Sequence, residues 1–213
     1  MKNIKLIIFD LDGTLLDAYG AIIESFNYTM HKVNSPQRDN LTIRRAVGWG
    51  DENLLRPFVE GKDLKSALKI YRLHHKASLI RHARLFPGAR NLLETLRSKG
   101  YKLAVASNRP TKFSRILINH LKIAKYFDYV LCADKLKQGK PHPEILHKIR
   151  KSLSSKPGET LYVGDMVIDI QAGRRGRVKT AAVATGSSTL AELKREKPCL
   201  IIKKVADLWR LLS

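Results

Sequence analysis

Two cysteines in 213 residues, Cys132 and Cys199, are too few and too poorly spaced for a disulfide framework or a zinc site. Aromatic residues make up only 7% of the chain, and 19 acidic residues face 40 Lys and Arg. No apolar run approaches the roughly 20 residues that a membrane-spanning helix needs. The apolar stretch near the N-terminus, Ile4 to Phe9, is cut off by Asp10 and Asp12, which argues against a secretory signal. The expectation is a globular cytoplasmic protein with no membrane partner, of one full-sized domain or a core plus a small insertion.

The shortage of acidic residues leaves a net charge of +21, which raises the question of a nucleic-acid partner. A binding patch concentrates its charge, whereas here residues 18–85 carry +6 and the other 145 residues +15, nearly the same density. The tightest cluster is Arg174-Arg175-Gly176-Arg177-Val178-Lys179. A solvated basic surface is the favoured reading, and one able to steer small anions.

What is present is more specific. Ile4 to Phe9 reads as a buried strand, and it delivers Asp10 and Asp12, followed by Gly13 and Thr14, to its carboxyl end. Open α/β sheets place their ligands there. Two carboxylates so close need a divalent cation, a shared proton or a basic neighbour. From about 18 to 85 the periodicity is helical, with breaks at Asn34-Ser35-Pro36 and Val47-Gly48-Trp49-Gly50, and no strand is expected. After Phe86-Pro87-Gly88, helices and strands alternate. Strands are expected at 102–106, 129–132, 160–163 and 180–184, and a last helix at about 205–212. Such alternation implies right-handed crossovers and a parallel sheet covered on both faces. The fold class is therefore α/β, with a helical block inserted after the first strand.

Further strand ends add chemistry. The second ends at Ser107-Asn108-Arg109, the third leads to Gly139-Lys140-Pro141, and the fourth runs into Gly164-Asp165 with Asp169 one helical turn on. Carboxylates, a hydroxyl, an amide and a fixed cation are the parts of metal-assisted phosphoryl transfer.

The order and spacing of these stretches resemble the haloacid dehalogenase superfamily: FDLDGT its first motif, Ser107-Asn108 its second, Lys140 its third and GDMVID its fourth. The insertion resembles that superfamily's alpha-helical cap, and VGWGDENLL is similar to the cap of phosphoglycolate-phosphatase-like members. The resemblance implies a Rossmann-like core over 1–16 and 86–213, with a cap over 17–85. It implies a phosphatase acting on a small phosphorylated metabolite, as a monomer or homodimer. Asp10 would be the nucleophile, becoming an aspartyl-phosphate, and Asp12 the general acid and base. Ser107, Asn108, Gly13 and Lys140 would hold the phosphate, Lys140 also neutralising Asp10. Mg²⁺ would sit on Asp10, Asp12 through its backbone carbonyl, Asp165 and Asp169. Arg45, with Arg44, is the candidate cap contact to an anionic substrate. Dehalogenating members resembling this architecture lack an acid at the position of Asp12, so phosphate chemistry is expected. A phosphomutase of the same superfamily, or a nucleic-acid-associated phosphatase or binding protein, are the alternatives. Asp17 reads as a helix cap, Trp49 as cap core, and His74, His75 and His142 as structural or solvated. Arg109, where many relatives carry lysine, leaves the substrate open.

Overall fold

The computed structural model describes residues 3–59 and 63–212. Its main sheet has six parallel strands: β1 (Leu6–Phe9), β4 (Lys102–Ser107), β5 (Tyr129–Cys132), β6 (Thr160–Gly164), β7 (Lys179–Val183) and β8 (Leu200–Ile202). They lie in the order β5-β4-β1-β6-β7-β8. Strand β1, Leu-Ile-Ile-Phe, is buried on both faces, which is why it reads as an unbroken apolar run. The chain builds outward from β1 first to one edge and then to the other. The carboxyl ends of β1, β4 and β6 thus meet at the topological switch point, where such sheets bind ligands.

Helices cover both faces. On one, α5 (Ala89–Ser98) and α6 (Thr111–His120) bury Leu92, Leu93, Leu96, Phe113 and Leu117 against Ile7, Phe9, Leu103 and Val105. On the other, α7 (Glu144–Ser152) and α8 (Val167–Arg175) pack Ile145, Leu146, Ile149 and Ala172 on Leu6, Ile8 and Tyr162. The inserted helices are α1 (Tyr19–Lys32), α2 (Asn40–Ala46), α3 (Asp51–Leu55) and α4 (Leu64–His82). They share a separate apolar cluster built from Phe26, Met30, Ile43, Leu55 and Tyr71.

The structure departs from the sequence-based expectations in a few places. Two-residue strands β2 (Leu16–Asp17) and β3 (Arg84–Leu85) pair antiparallel where no strand was expected, and bring the two connections of the insertion side by side. Two residues cannot show a period. Helix α9 (Leu190–Arg195) and β8 were also not expected, although Thr189 and Glu192 form a capping box ahead of the apolar run Leu200–Ile202. The last helix begins as a 3₁₀ turn at Val205–Leu208 and continues as α10 (Trp209–Leu212). Trp49 is not cap core: it is 46% exposed. Asp17 accepts from the backbone N–H of Tyr19 at the start of α1. An open groove on α4 and α6 is lined by Lys65, Lys69, Arg72, Lys76 and Lys112. Among the described residues no helix is long and apolar enough to cross a membrane.

Candidate active site

Asp10 follows β1 and is 6% exposed, and its backbone N–H donates to the Val163 carbonyl across the sheet. Asp165 follows β6, and Asp169 lies in the first turn of α8. Oxygens of these three buried carboxylates lie within 4.8 Å of one another. Lys140, itself 3% exposed, reaches in from the other side, with Nζ 3.0 Å from Asp10 Oδ1 and 2.8 Å from Asp169 Oδ1.

One ammonium does not balance three carboxylates in a dry site. Burial pushes Asp10 up to about 7, against the pull of Lys140 and with help from Asp169 and Asp12. Burial, then Asp169 and Asp10, likewise drive Asp165 well upward. Burial works against the Lys140 ammonium, but Asp10 and Asp169 outweigh it and raise its pKa.

A hard divalent cation fits this donor set. Asp10 Oδ1 is an ion-pair partner of Lys140 but lacks a hydrogen bond of good geometry, and Tyr19 OH and Ser187 Oγ are likewise buried without one. Tyr19 OH and Asp165 crowd the same side of Gly13, and Ser187 N donates to Asp165 Oδ2, so these spare polar atoms converge on the cluster. Asp165 Oδ1 accepts from Thr14 Oγ1 at 2.9 Å. Asp169 has less to offer. Its Oδ1 takes Lys140 Nζ and the Tyr162 hydroxyl, and its Oδ2 takes the backbone N–H of Met166. One acceptor position of four remains for a metal or a water.

Glycines make this packing possible. A Cβ on Gly186 would stand 1.5 Å from Asp165 Oδ2, and one on Gly164 would stand 2.4 Å from Asp169 Cγ. Gly13 has φ +79, and a Cβ there would be 2.5 Å from Asp165 Oδ2. The Gly13 N–H donates to the Leu16 carbonyl and its own carbonyl accepts from Thr185 Oγ1. Gly13 thus shapes a turn here, and its N–H is not free for a phosphate as first read.

The remaining candidates divide. Ser107, 2% exposed, faces the cavity and accepts from the Arg109 N–H. Asn108 ties three segments together: Nδ2 donates to the Gly48 and Lys140 carbonyls, and Oδ1 accepts from the Lys140 N–H. Its amide is spent on fixing Lys140 and the cap loop. Arg45 is not in the cavity lining; its guanidinium donates to the Ser187 carbonyl and to both Glu192 oxygens. Arg44 lies over the Tyr19 ring and donates to the Thr185 carbonyl. The expectation that Arg45 contacts substrate therefore gives way to a clasp between cap and core.

Asp12 sits apart from the three-carboxylate cluster. Arg109 Nε and Nη2 hold its two oxygens, both at 2.8 Å. Arg109 Nη1 meets His75 Nε2 at 2.7 Å, so His75 is neither solvated nor remote from the site. Sequence reasoning did not assign Arg109, His75, Tyr162, Thr14 or Gly186 to the site. Thr14, within the first motif, and Arg109, directly after the second, carried a local signal. The cavity lined by Asp10, Asp12, His75, Ser107, Arg109 and Lys140 measures about 50 Å³. A water needs about 10–15 Å³ by this measure, so it holds only a few.

Residues 7–183 match the haloacid dehalogenase-like hydrolases. The chain belongs to that family. Among its relatives is the phosphoglycolate phosphatase of Aquifex aeolicus (strain VF5), 29% identical and aligned over 98% of this chain and 97% of that one. Another is the pyrophosphatase PpaX of Anoxybacillus flavithermus (strain DSM 21510 / WK1), 31% identical over 99% and 98%. A solved structure described as a predicted phosphoglycolate phosphatase, from Haemophilus somnus 129PT, superposes with a TM-score of 0.95 at 27% identity, each chain covered in full. This haloacid dehalogenase-like hydrolase is a phosphatase.

Proposed function

We propose that this phosphatase hydrolyses a small phosphoryl compound through Asp10, with Mg²⁺ as its metal. The observation that carries the reading is the buried cluster of Asp10, Asp165, Asp169 and Lys140 at the switch point, with Asp10 and Lys140 lining a cavity between core and inserted helices. Both named relatives act on compounds in which a second anionic group lies close to the transferred phosphoryl: a carboxylate in phosphoglycolate, a phosphate in pyrophosphate.

Asp10, Asp165, one acceptor position of Asp169 and the backbone carbonyl of Asp12 would hold Mg²⁺. When bound it neutralises phosphoryl oxygens and draws Asp10 into its ionised form. Asp10 attacks phosphorus as the bond to the leaving oxygen breaks, and that oxygen takes its proton from Asp12. Water then gives its proton to Asp12 and attacks the same phosphorus, releasing phosphate and the Asp10 carboxylate. Ser107 Oγ and Lys140 hold the phosphoryl oxygens throughout. The clasp at Arg44 and Arg45 keeps bulk water out, and substrate entry requires it to open.

The test is phosphate release from a panel of small esters and pyrophosphate, with Mg²⁺ and with chelator. Metal-dependent release supports the reading. Isomerisation of a sugar phosphate without release would replace it with a mutase.

A further inference from the structure

Two cations line the cavity, Lys140 and Arg109, and Lys140 is committed to Asp10 and Asp169. Beyond the phosphoryl end the wall is largely apolar, with Ile22, Val47, Leu54, Tyr71 and Phe113. Asp51 is the acid on that wall, and both its oxygens are turned to Arg72, at 2.7 and 3.1 Å. Arg109 is therefore the cation that a leaving group would meet.

The guanidinium is mounted with care. His75 is held neutral, its pKa lowered to about 2 by burial and then by Arg109 itself, so Nε2 accepts from Arg109 Nη1. Its Nδ1 then carries the proton and donates to Ser25 Oγ at 3.1 Å, and Ser25 donates onward to the Ala21 carbonyl. Tyr71 stacks on the His75 ring and Phe113 closes on its edge. Cap helices α1 and α4 thus fix a side chain that belongs to the core. Three of the five guanidinium N–H groups are used, Nε and Nη2 on Asp12 and Nη1 on His75, and two remain.

Resting on the phosphatase reading above, we propose that Arg109 determines specificity by binding a second anionic group on the substrate's leaving portion, a carboxylate or phosphate next to the bridging oxygen. His75 acts as its positioning residue. Each Asp12 oxygen accepts one Arg109 N–H in the structure, which turns the carboxylate along the guanidinium fork and away from a leaving oxygen. A substrate anion takes the unspent N–H groups and competes with Asp12 for the fork. The Asp12 side chain is thereby released toward the bridging oxygen, to which it gives the proton taken from water in the preceding turnover. An ester without that anion leaves Asp12 in its grip.

The test compares phosphoglycolate with ethyl phosphate, the same skeleton without the carboxylate, in the Mg²⁺-loaded wild type and in Arg109→Gln. The wild type should favour phosphoglycolate in kcat/KM, and Arg109→Gln should cut that preference by about 10–100-fold, the range of one lost charged hydrogen bond. Arg109→Lys, which keeps the charge but not the fork, should cut it by a smaller factor and serves if the glutamine variant does not fold. His75→Phe should raise KM for phosphoglycolate more than for ethyl phosphate. Equal losses on both substrates in Arg109→Gln would overturn the proposal, as would a wild type without preference. In those outcomes turnover of ethyl phosphate leaves the phosphatase reading standing, whereas turnover of neither substrate overturns both.

Discussion

Replacing Lys140 by Met removes the ammonium that Asp10 and Asp169 share, beside the third buried carboxylate Asp165, while keeping most of the side chain's volume. At 2.8–3.0 Å, with an effective dielectric constant near 20, each ion pair is worth about 6 kcal/mol of direct attraction. Desolvating the ammonium cancels much of this, and breaking a buried pair from one side typically costs about 3–5 kcal/mol. For a chain of this length that lowers Tm by about 6–20 °C. In chelator the deficit should be larger at pH 8 than at pH 5. Burial already raises Asp10 to about 7 against the pull of Lys140, and without the ammonium it rises further, so the cost of keeping Asp10 ionised, or of protonating it, grows with pH. Added Mg²⁺ should restore part of the loss by binding the folded state alone. Calorimetry of wild type and Lys140→Met, with chelator and with Mg²⁺ at both pH values, reads all three effects. A variant within about 2 °C of wild type at pH 8 in chelator would refute the electrostatic account of the site.

Gly186→Ala, whose Cβ would collide with Asp165, should abolish Mg²⁺-stimulated turnover and cost about 1–3 kcal/mol in urea unfolding; normal metal affinity by calorimetry would count against the crowding argument. Asn108→Ala leaves the Lys140 N–H and the Gly48 carbonyl without their partner, and should cost about 1–3 kcal/mol together with most of the activity. Arg45→Ala should shift Tm by no more than about 3 °C and raise KM alike for every substrate, because it opens the clasp rather than removing a substrate contact. The Arg45 and Thr189 bonds depress Glu192 to about 2, so the clasp is at full strength above the ordinary carboxylate value near 4.3 and fades as pH falls from there through about 2. Hydrogen exchange along α2 should rise over that acid range in wild type and not in Arg45→Ala.

Much of the fold was legible because buried parallel strands write themselves as short apolar runs. β1, β4 and β6 needed no context, and the residues just after them carry the chemistry. The inserted helices were legible from their period. α9 and β8 were missed despite the capping box at Thr189 and Glu192, and most of what else escaped had no local signature. β2 and β3 are defined only by each other, and Trp49 lies on a short loop where apolar character does not fix burial. The roles of Arg109 and His75 arise from a contact between residues 34 apart, on different layers of the molecule. Arg45 was misread for the same reason, since nothing near it in sequence announces Glu192. Gly186 carries no motif, and its importance comes from Asp165 packing into the space it leaves.

Trapping the bond between Asp10 and phosphorus decides whether Asp10 is the nucleophile. Asp12→Asn removes the base that activates water, so the covalent species should accumulate when this variant, loaded with Mg²⁺, is mixed with p-nitrophenyl phosphate, whose phenolate leaves without a proton, and quenched in acid. The account predicts the mass increment of one phosphoryl group on the peptide containing Asp10, lost in the Asp10→Asn protein. An increment on another residue, or Mg²⁺-dependent phosphate release that survives Asp10→Asn, would contradict it.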